Sequence, residues 1–330
     1  MAHSGTMLIG TPGQGVFRSA DNGESWTRGS IGQGLHSDAI IRALAVHPTE
    51  PRTVYAGSDY GLYRSENAGE SWHLLDTPMN RQVVWSVVFD PANAGTMLAG
   101  TGTPSTPGLF RSTDSGTTWA SETVEIAPEC PAVGVPRPTG IAFDPTDSNK
   151  VWMGLEVDGM RRTSDGGRTW SKTADAIHNL DVHNVAVTAG PPKTVFVLVN
   201  NDIWASTDDG ESWRSLGVRE NFEPYRYPRG VCVKPDDPRV IYITLGDATP
   251  GRMGAVLRST DTGKTWETLP LPSPSNSAMW VVHVPAQQPS TVLAGSRYGC
   301  LYRSDDGGDH FQKLWRELSE VSSIAFVADG

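Results

Sequence analysis

The chain has 330 residues, with 27 Lys and Arg against 37 Asp and Glu, for a net charge of −10. That acid excess, with no Lys/Arg run to offset it locally, repels phosphate backbones and excludes nucleic acid as an expected partner. Glycine (35 residues) and proline (24) are dense, and no apolar stretch reaches the roughly 18 residues of a membrane helix, so many short strands are expected rather than long helices or a membrane span.

Taken in chain order, the elements repeat. MLIGT (Met7 to Thr11) is an apolar strand, and the segment after it ends in SADNGESW (Ser19 to Trp26). A fuller unit follows: IRALAVHP (Ile41 to Pro48), TVYAGS (Thr53 to Ser58), GLYRS (Gly61 to Ser65), then SENAGESW (Ser65 to Trp72). The pattern S/T-x-D-x-G-x-S/T-W returns as STDSGTTW (from Ser112), TSDGGRTW (from Thr163), STDDGESW (from Ser206) and STDTGKTW (from Ser259), and in a degenerate seventh copy, SDDGGDHF (from Ser304). The terminal aromatics are 43 to 53 residues apart, the length of one four-stranded blade. Each unit therefore reads as strands A, B, C and D, numbered outwards from a central channel. The chain begins at a strand B and ends with VSSIAFVA (Val321 to Ala328), which matches strand A. Pairing the two completes the first blade and hides two sheet edges. The fold expected is all-β: a single domain, residues 1–330, forming a seven-bladed β-propeller of four-stranded antiparallel blades, closed by the C-terminal strand.

Local chemistry explains the recurring box. Its Asp accepts backbone N–H bonds within the turn, its Gly takes positive φ at little cost, and its Trp fills the gap between wedge-shaped blades. Asn67 replaces Asp in the second copy and keeps an acceptor. In strand A one parity is bulky (Leu44 and Val46, Val87 and Phe89, Ile141 and Phe143) and the other small (Ala43 and Ala45, Gly140 and Ala142, Gly230 and Cys232), as blades packed face to face require. Cys232 thus reads as core. Three cysteines, Cys130, Cys232 and Cys300, make no disulfide framework. The opening MAHSGTMLIG lacks a basic segment followed by a long apolar one, and a cytoplasmic setting is expected.

These boxes resemble the BNR or Asp-box repeats of sialidase-like, sortilin-like and photosystem II assembly factor-like propellers, over essentially the whole chain. The resemblance implies boxes on the rim away from the ligand site. Sialidase-like members use an arginine triad, a Tyr–Glu pair, an Asp and an Arg-Ile-Pro motif; this chain has no Arg-Ile-Pro, and no triad can be assigned. Sortilin-like members bind peptides and the assembly factors bind a protein partner.

The A–B turns are short and share a face with the boxes, whereas the D–A and B–C loops vary and lengthen on the other face (Glu122 to Pro138, Leu216 to Pro228, Gly102 to Pro107, Gly246 to Gly254). A site is expected there. The residues opening each strand A are Arg42, Trp85, Thr139, His183, Arg229, Trp280 and Ser322. Arg137, Asp181 and Tyr227 lie two positions earlier in their units, and loop tips add Glu156, Asp158, Asp247 and Arg297. The expected ligand is small, anionic or polar, with an apolar part. His183 and Glu156 are the candidate catalytic residues. Arg42, Trp85, Arg229, Trp280, Tyr227 and Asp247 are the candidate substrate-binding residues, with arginine forks for a carboxylate and tryptophans to stack on a ring or sugar face. The bland alternatives are mouth arginines paired with Asp181 or Glu156, tryptophans plugging the channel and a structural His183. His36, His178 and His183 lack ligand spacing, so no metal or other cofactor is expected. The function expected is small-molecule processing, as a hydrolase or lyase; the alternative is a non-catalytic propeller binding a protein or peptide.

Overall fold

The computed structural model describes residues 4–173, 177–314 and 317–329; Met1 to His3, part of the stretch read for a leader, lie outside them. Seven four-stranded antiparallel sheets form, each in the order A-B-C-D. Strand A is Ser323–Ala328 in blade 1, then Ala43–Val46, Val83–Asp90 and Pro138–Asp144 in blades 2 to 4. In blades 5 to 7 it is Val182–Val187, Tyr227–Val233 and Met279–His283. As expected, blade 1 is shared by the chain ends: Ser323–Ala328 pairs with Gly5–Thr11, Leu8 lying opposite Ala325. Among the described residues no helix is long and apolar enough to cross a membrane.

The boxes act as the sequence requires, within and between blades. In blade 5, Ser206 Oγ donates to Asp208 Oδ1 (2.8 Å), the Gly210 amide donates to Ser206 Oγ (2.8 Å) and the Ser212 amide to Asp208 Oδ1 (2.9 Å). Gly210 has φ of 89°, a conformation glycine adopts without strain. The position before it is left-handed too, and Thr262 (φ 62°) holds it in blade 6. Box amides also donate to the A–B turn of their own blade, as Thr262 N does to Arg239 O (2.9 Å), so boxes and A–B turns do share a face. Arginines of strand C reach the next blade's box: Arg18 Nε donates to Ala68 O (3.0 Å) and Arg258 Nη1 to Gly307 O (2.8 Å).

Each box aromatic joins the apolar layer between its own blade and the preceding one. Trp72 packs with Leu8 and Val16 of blade 1 and Val54 and Ala56 of blade 2, and Phe311 fills the same place between blades 6 and 7. Bulky meets small between strands A: Ala43 and Ala45 of blade 2 pack against Val87 and Phe89 of blade 3. Cys232 packs against Val282 and Val284 of blade 7, and burial pushes its thiol up to about 11, the behaviour of a core residue and not of a nucleophile.

Two outcomes test this arrangement. Trp72 is 5% exposed, and Trp72→Ala is expected to cost about 3–5 kcal/mol in urea unfolding. The hydroxyl four residues on is the largest influence at Asp21, Asp114, Asp165 and Asp208, and with that residue's amide it holds each carboxyl down to about 2. A depressed folded-state value means stability is full above the ordinary carboxylate range near about 4 and lost as pH falls towards 2. Melting temperature should stay level from neutral pH to about 4 and then fall; a protein carrying Asp21, Asp114, Asp165 and Asp208 all as Asn should lose less on acidification than the wild type.

Candidate active site at the channel mouth

The innermost strands converge on the channel axis, and the register between strands A and B breaks at the same height in blade after blade. One extra residue stands in strand A at Trp85, Thr139, His183 and Trp280, and Arg229 with Gly230 opposes the single Thr244. Arg42 and Ser322 occupy the same place in blades 2 and 1: their amides donate to Gly57 O (2.8 Å) and Gly10 O (3.0 Å), residues already paired with Ala43 and Ser323. A bulge re-aims the side chain it carries. All seven strand A openers singled out in the sequence are therefore bulge residues, and all seven line one cavity of about 500 Å³.

The smaller bulge residues peg each blade to the next. Ser322 Oγ donates to Ile41 O (2.5 Å) and Thr139 Oγ1 to Val182 O (2.5 Å). His183 Nδ1 lies 2.7 Å from Pro228 O; a carbonyl only accepts, so Nδ1 carries the proton. In each case the acceptor immediately precedes the next blade's bulge residue. His183 is thus buried and structurally engaged through Nδ1, with Nε2 left facing Asp181 Oδ2 at 3.6 Å.

The larger bulge residues form two similar groups. Arg42 of blade 2 and Arg137, which leads into blade 4, both lie over Trp85 of blade 3, each 4.2 Å from the ring centre. Arg229 of blade 6 and Arg297 of the blade 7 B–C turn lie over Trp280, at 4.4 and 4.6 Å. Arg137 Nε donates to Glu156 Oε2, and Arg297 pairs with Glu320 at 3.0 Å. The tryptophans do not stand open as sugar platforms, because guanidiniums already occupy their rings; the indoles position cations instead. Tyr227 lies between His183 (4.6 Å) and Trp280 (6.0 Å), and burial raises its phenol above the ordinary range. Burial alone would raise the Asp181 carboxyl as well, but His183, Asn200 and Arg229 outweigh it and hold it below the usual value.

Of the residues singled out, the cavity brings together Arg42, Trp85, Glu156, His183, Tyr227, Arg229 and Trp280, with Arg137, Asp181 and Arg297 beside them. Asp247, the remaining candidate, is not among the lining residues. Its Oδ1 accepts from the amides of Arg252 (2.8 Å) and Met253 (3.2 Å), which spends the carboxylate on holding its own B–C loop. Asp158 is spent likewise, on Ala127 N and Arg161. Asn184, Asn200 and Thr249 also line the cavity and carried no sequence signal. Glu320 did: it stands two residues before Ser322, the offset that marks Arg137, Asp181 and Tyr227.

The Arg137–Glu156 pair is largely shielded from solvent. Glu156→Gln leaves a cation in a mouth already rich in arginine and is expected to cost about 2–3 kcal/mol. A double-mutant cycle with Arg137→Met, read by urea unfolding, should recover at least half of that loss; additive losses would mean that the pair is not coupled.

The chain has relatives among known proteins. A xyloglucanase of Hypocrea jecorina (strain QM6a) is 24% identical over 345 residues, covering 88% of this chain and 40% of its own length, so the chain spans well under half of that relative. The structure resembles a GH74 xyloglucanase from Xanthomonas campestris (TM-score 0.69, 18% identity, 99% of this chain and 53% of that one). It also resembles YCF48 bound to D1 peptide (TM-score 0.60, 16% identity, 89% and 91% of the two chains). At these identities the two structures share the fold. The family described as Sortilin-Vps10 (sortilin, neurotensin receptor 3) matches residues 14–130, 60–199 and 201–329; the chain belongs to the Sortilin-Vps10 family.

Proposed function

We propose that the chain is a glycosidase-like hydrolase that takes a small saccharide at the channel mouth. The meeting of Glu156, Asp181, His183 and Tyr227 in one cavity, with His183 on a bulge of the ring, carries the proposal. Its chemical class is supported by the likeness to xyloglucanases over most of the chain.

Cleaving a glycosidic bond requires a proton for the leaving oxygen and a carboxylate to steady positive charge or activate water. In this proposal His183 handles the proton through Nε2, the nitrogen that Pro228 leaves free. Asp181, held ionised, faces that same nitrogen at 3.6 Å and orients the imidazole. Glu156, fixed by Arg137, accepts the proton of the attacking water. Tyr227, whose phenol stays protonated well above neutral pH, donates to a sugar oxygen. Arg42, Trp85, Arg229 and Trp280 shape the binding surface.

The test is release of reducing ends from a panel of neutral and acidic oligosaccharides. The wild-type chain should cleave at least one, and His183→Gln and Glu156→Gln should each lower kcat by about a hundredfold or more while circular dichroism stays unchanged. Wild-type turnover in both variants would remove these residues from the mechanism. A peptide-binding propeller is the second reading. Leu180, Met253 and Tyr298, three of the most exposed large apolar residues at 41 to 43%, all lie on the D–A and B–C loop face, and it predicts no turnover of any saccharide.

A further inference from the structure

The mouth holds more positive charge than its own carboxylates answer. Arg137 is paired with Glu156 and Arg297 with Glu320. Asp181 faces His183 at 3.6 Å and feels the charge of Arg229 without pairing with it. Among the described residues, Arg42 and Arg229 have no ion-pair partner, and Arg42 Nε is buried with no hydrogen-bond acceptor. Both line the cavity. A chain of net charge −10 does not gather four arginines at one mouth through composition. Burying a guanidinium beside other guanidiniums is costly unless a counter-charge arrives.

The arrangement is also doubled. Going round the ring, a peg (Ser322) is followed by a free arginine (Arg42) and then a tryptophan (Trp85). On the far side the order returns as His183, Arg229 and Trp280. In each group the peg bonds to the carbonyl just before the free arginine, and the tryptophan fixes that guanidinium at 4.2 or 4.4 Å. A second arginine, neutralised by a glutamate, completes each group.

Resting on the saccharide reading above, we infer that the ligand is an acidic oligosaccharide carrying at least two carboxylates, one held by Arg42 and the other by Arg229. A planar guanidinium matches a carboxylate with two parallel N–H bonds, and the tryptophan holds the fork in place before the ligand arrives. Burial first, and then the charges of Arg137, Arg297 and Arg229 against the opposing charge of Glu320, lower Arg42 to about 10.

Isothermal titration of the full chain with digalacturonate, galacturonate, galactobiose and inorganic phosphate tests this. Digalacturonate should bind at least tenfold more tightly than galacturonate and a hundredfold more tightly than galactobiose, with the margin shrinking as sodium chloride rises. Arg42→Gln and Arg229→Gln should each reduce digalacturonate to the galacturonate level, and the double variant should erase the preference over galactobiose. Equal binding of digalacturonate and galactobiose overturns the acidic ligand while leaving the saccharide reading standing. Phosphate binding as tightly as digalacturonate reduces the site to a simple anion hole and overturns it too. Loss of affinity in only one of the two variants overturns the paired half-sites. No binding of any saccharide defeats both this inference and the reading beneath it.

Discussion

Everything at the mouth depends on hydrogen bonds between the two ends of the chain. Ser323–Ala328 lies antiparallel to Gly5–Thr11 and supplies the innermost strand of blade 1. Without that pairing, strand B of blade 1 and the last segment would each present an open edge, the usual route to association. With it, seven strand A segments face one axis at a common height, and side chains hundreds of residues apart in sequence become neighbours. Ser322, near the end of the chain, then reaches Ile41 near its start.

Convergence has a steric consequence that the site exploits. Inner strands crowd at the axis, and the extra residue in strand A relieves the pleat by turning one side chain out of the blade. Because every blade does so at the same level, the bulge residues form a belt around the channel. Short polar members tie blades together; long cationic and aromatic members fill the mouth. His183 is engaged at both ring nitrogens: Nδ1 joins the belt while Nε2 faces Asp181. On the opposite face the box carboxylates accept from donors within their own turns, as Asp208 does from Ser206 and Ser212.

Electrostatics separates this mouth from the rest of the molecule. The surface is acidic overall, yet arginines concentrate where the loops meet. Indole rings spread the cations apart and keep each guanidinium plane oriented at modest cost. A tryptophan in such a stack is a spacer, and its presence at a cavity is no sign by itself of a sugar platform.

The repeat, the blade count, the shared first blade and the strand A openers were all legible in the sequence, because each rests on short-range regularity. Box hydrogen bonds close within five residues, from Ser206 to Gly210 for instance, and strand alternation has a period of two. Only the tertiary structure decided which charges pair and which stay free. Asp247 and Glu156 looked alike as loop-tip acids, yet one caps its own loop and the other meets Arg137. Trp85 and Trp280 read as open rings until arginines from other segments were found over them. The arginine–tryptophan partnerships join residues about one blade apart and depend on the rotation between wedges and on a one-residue slip in register, quantities that no local pattern of side chains encodes.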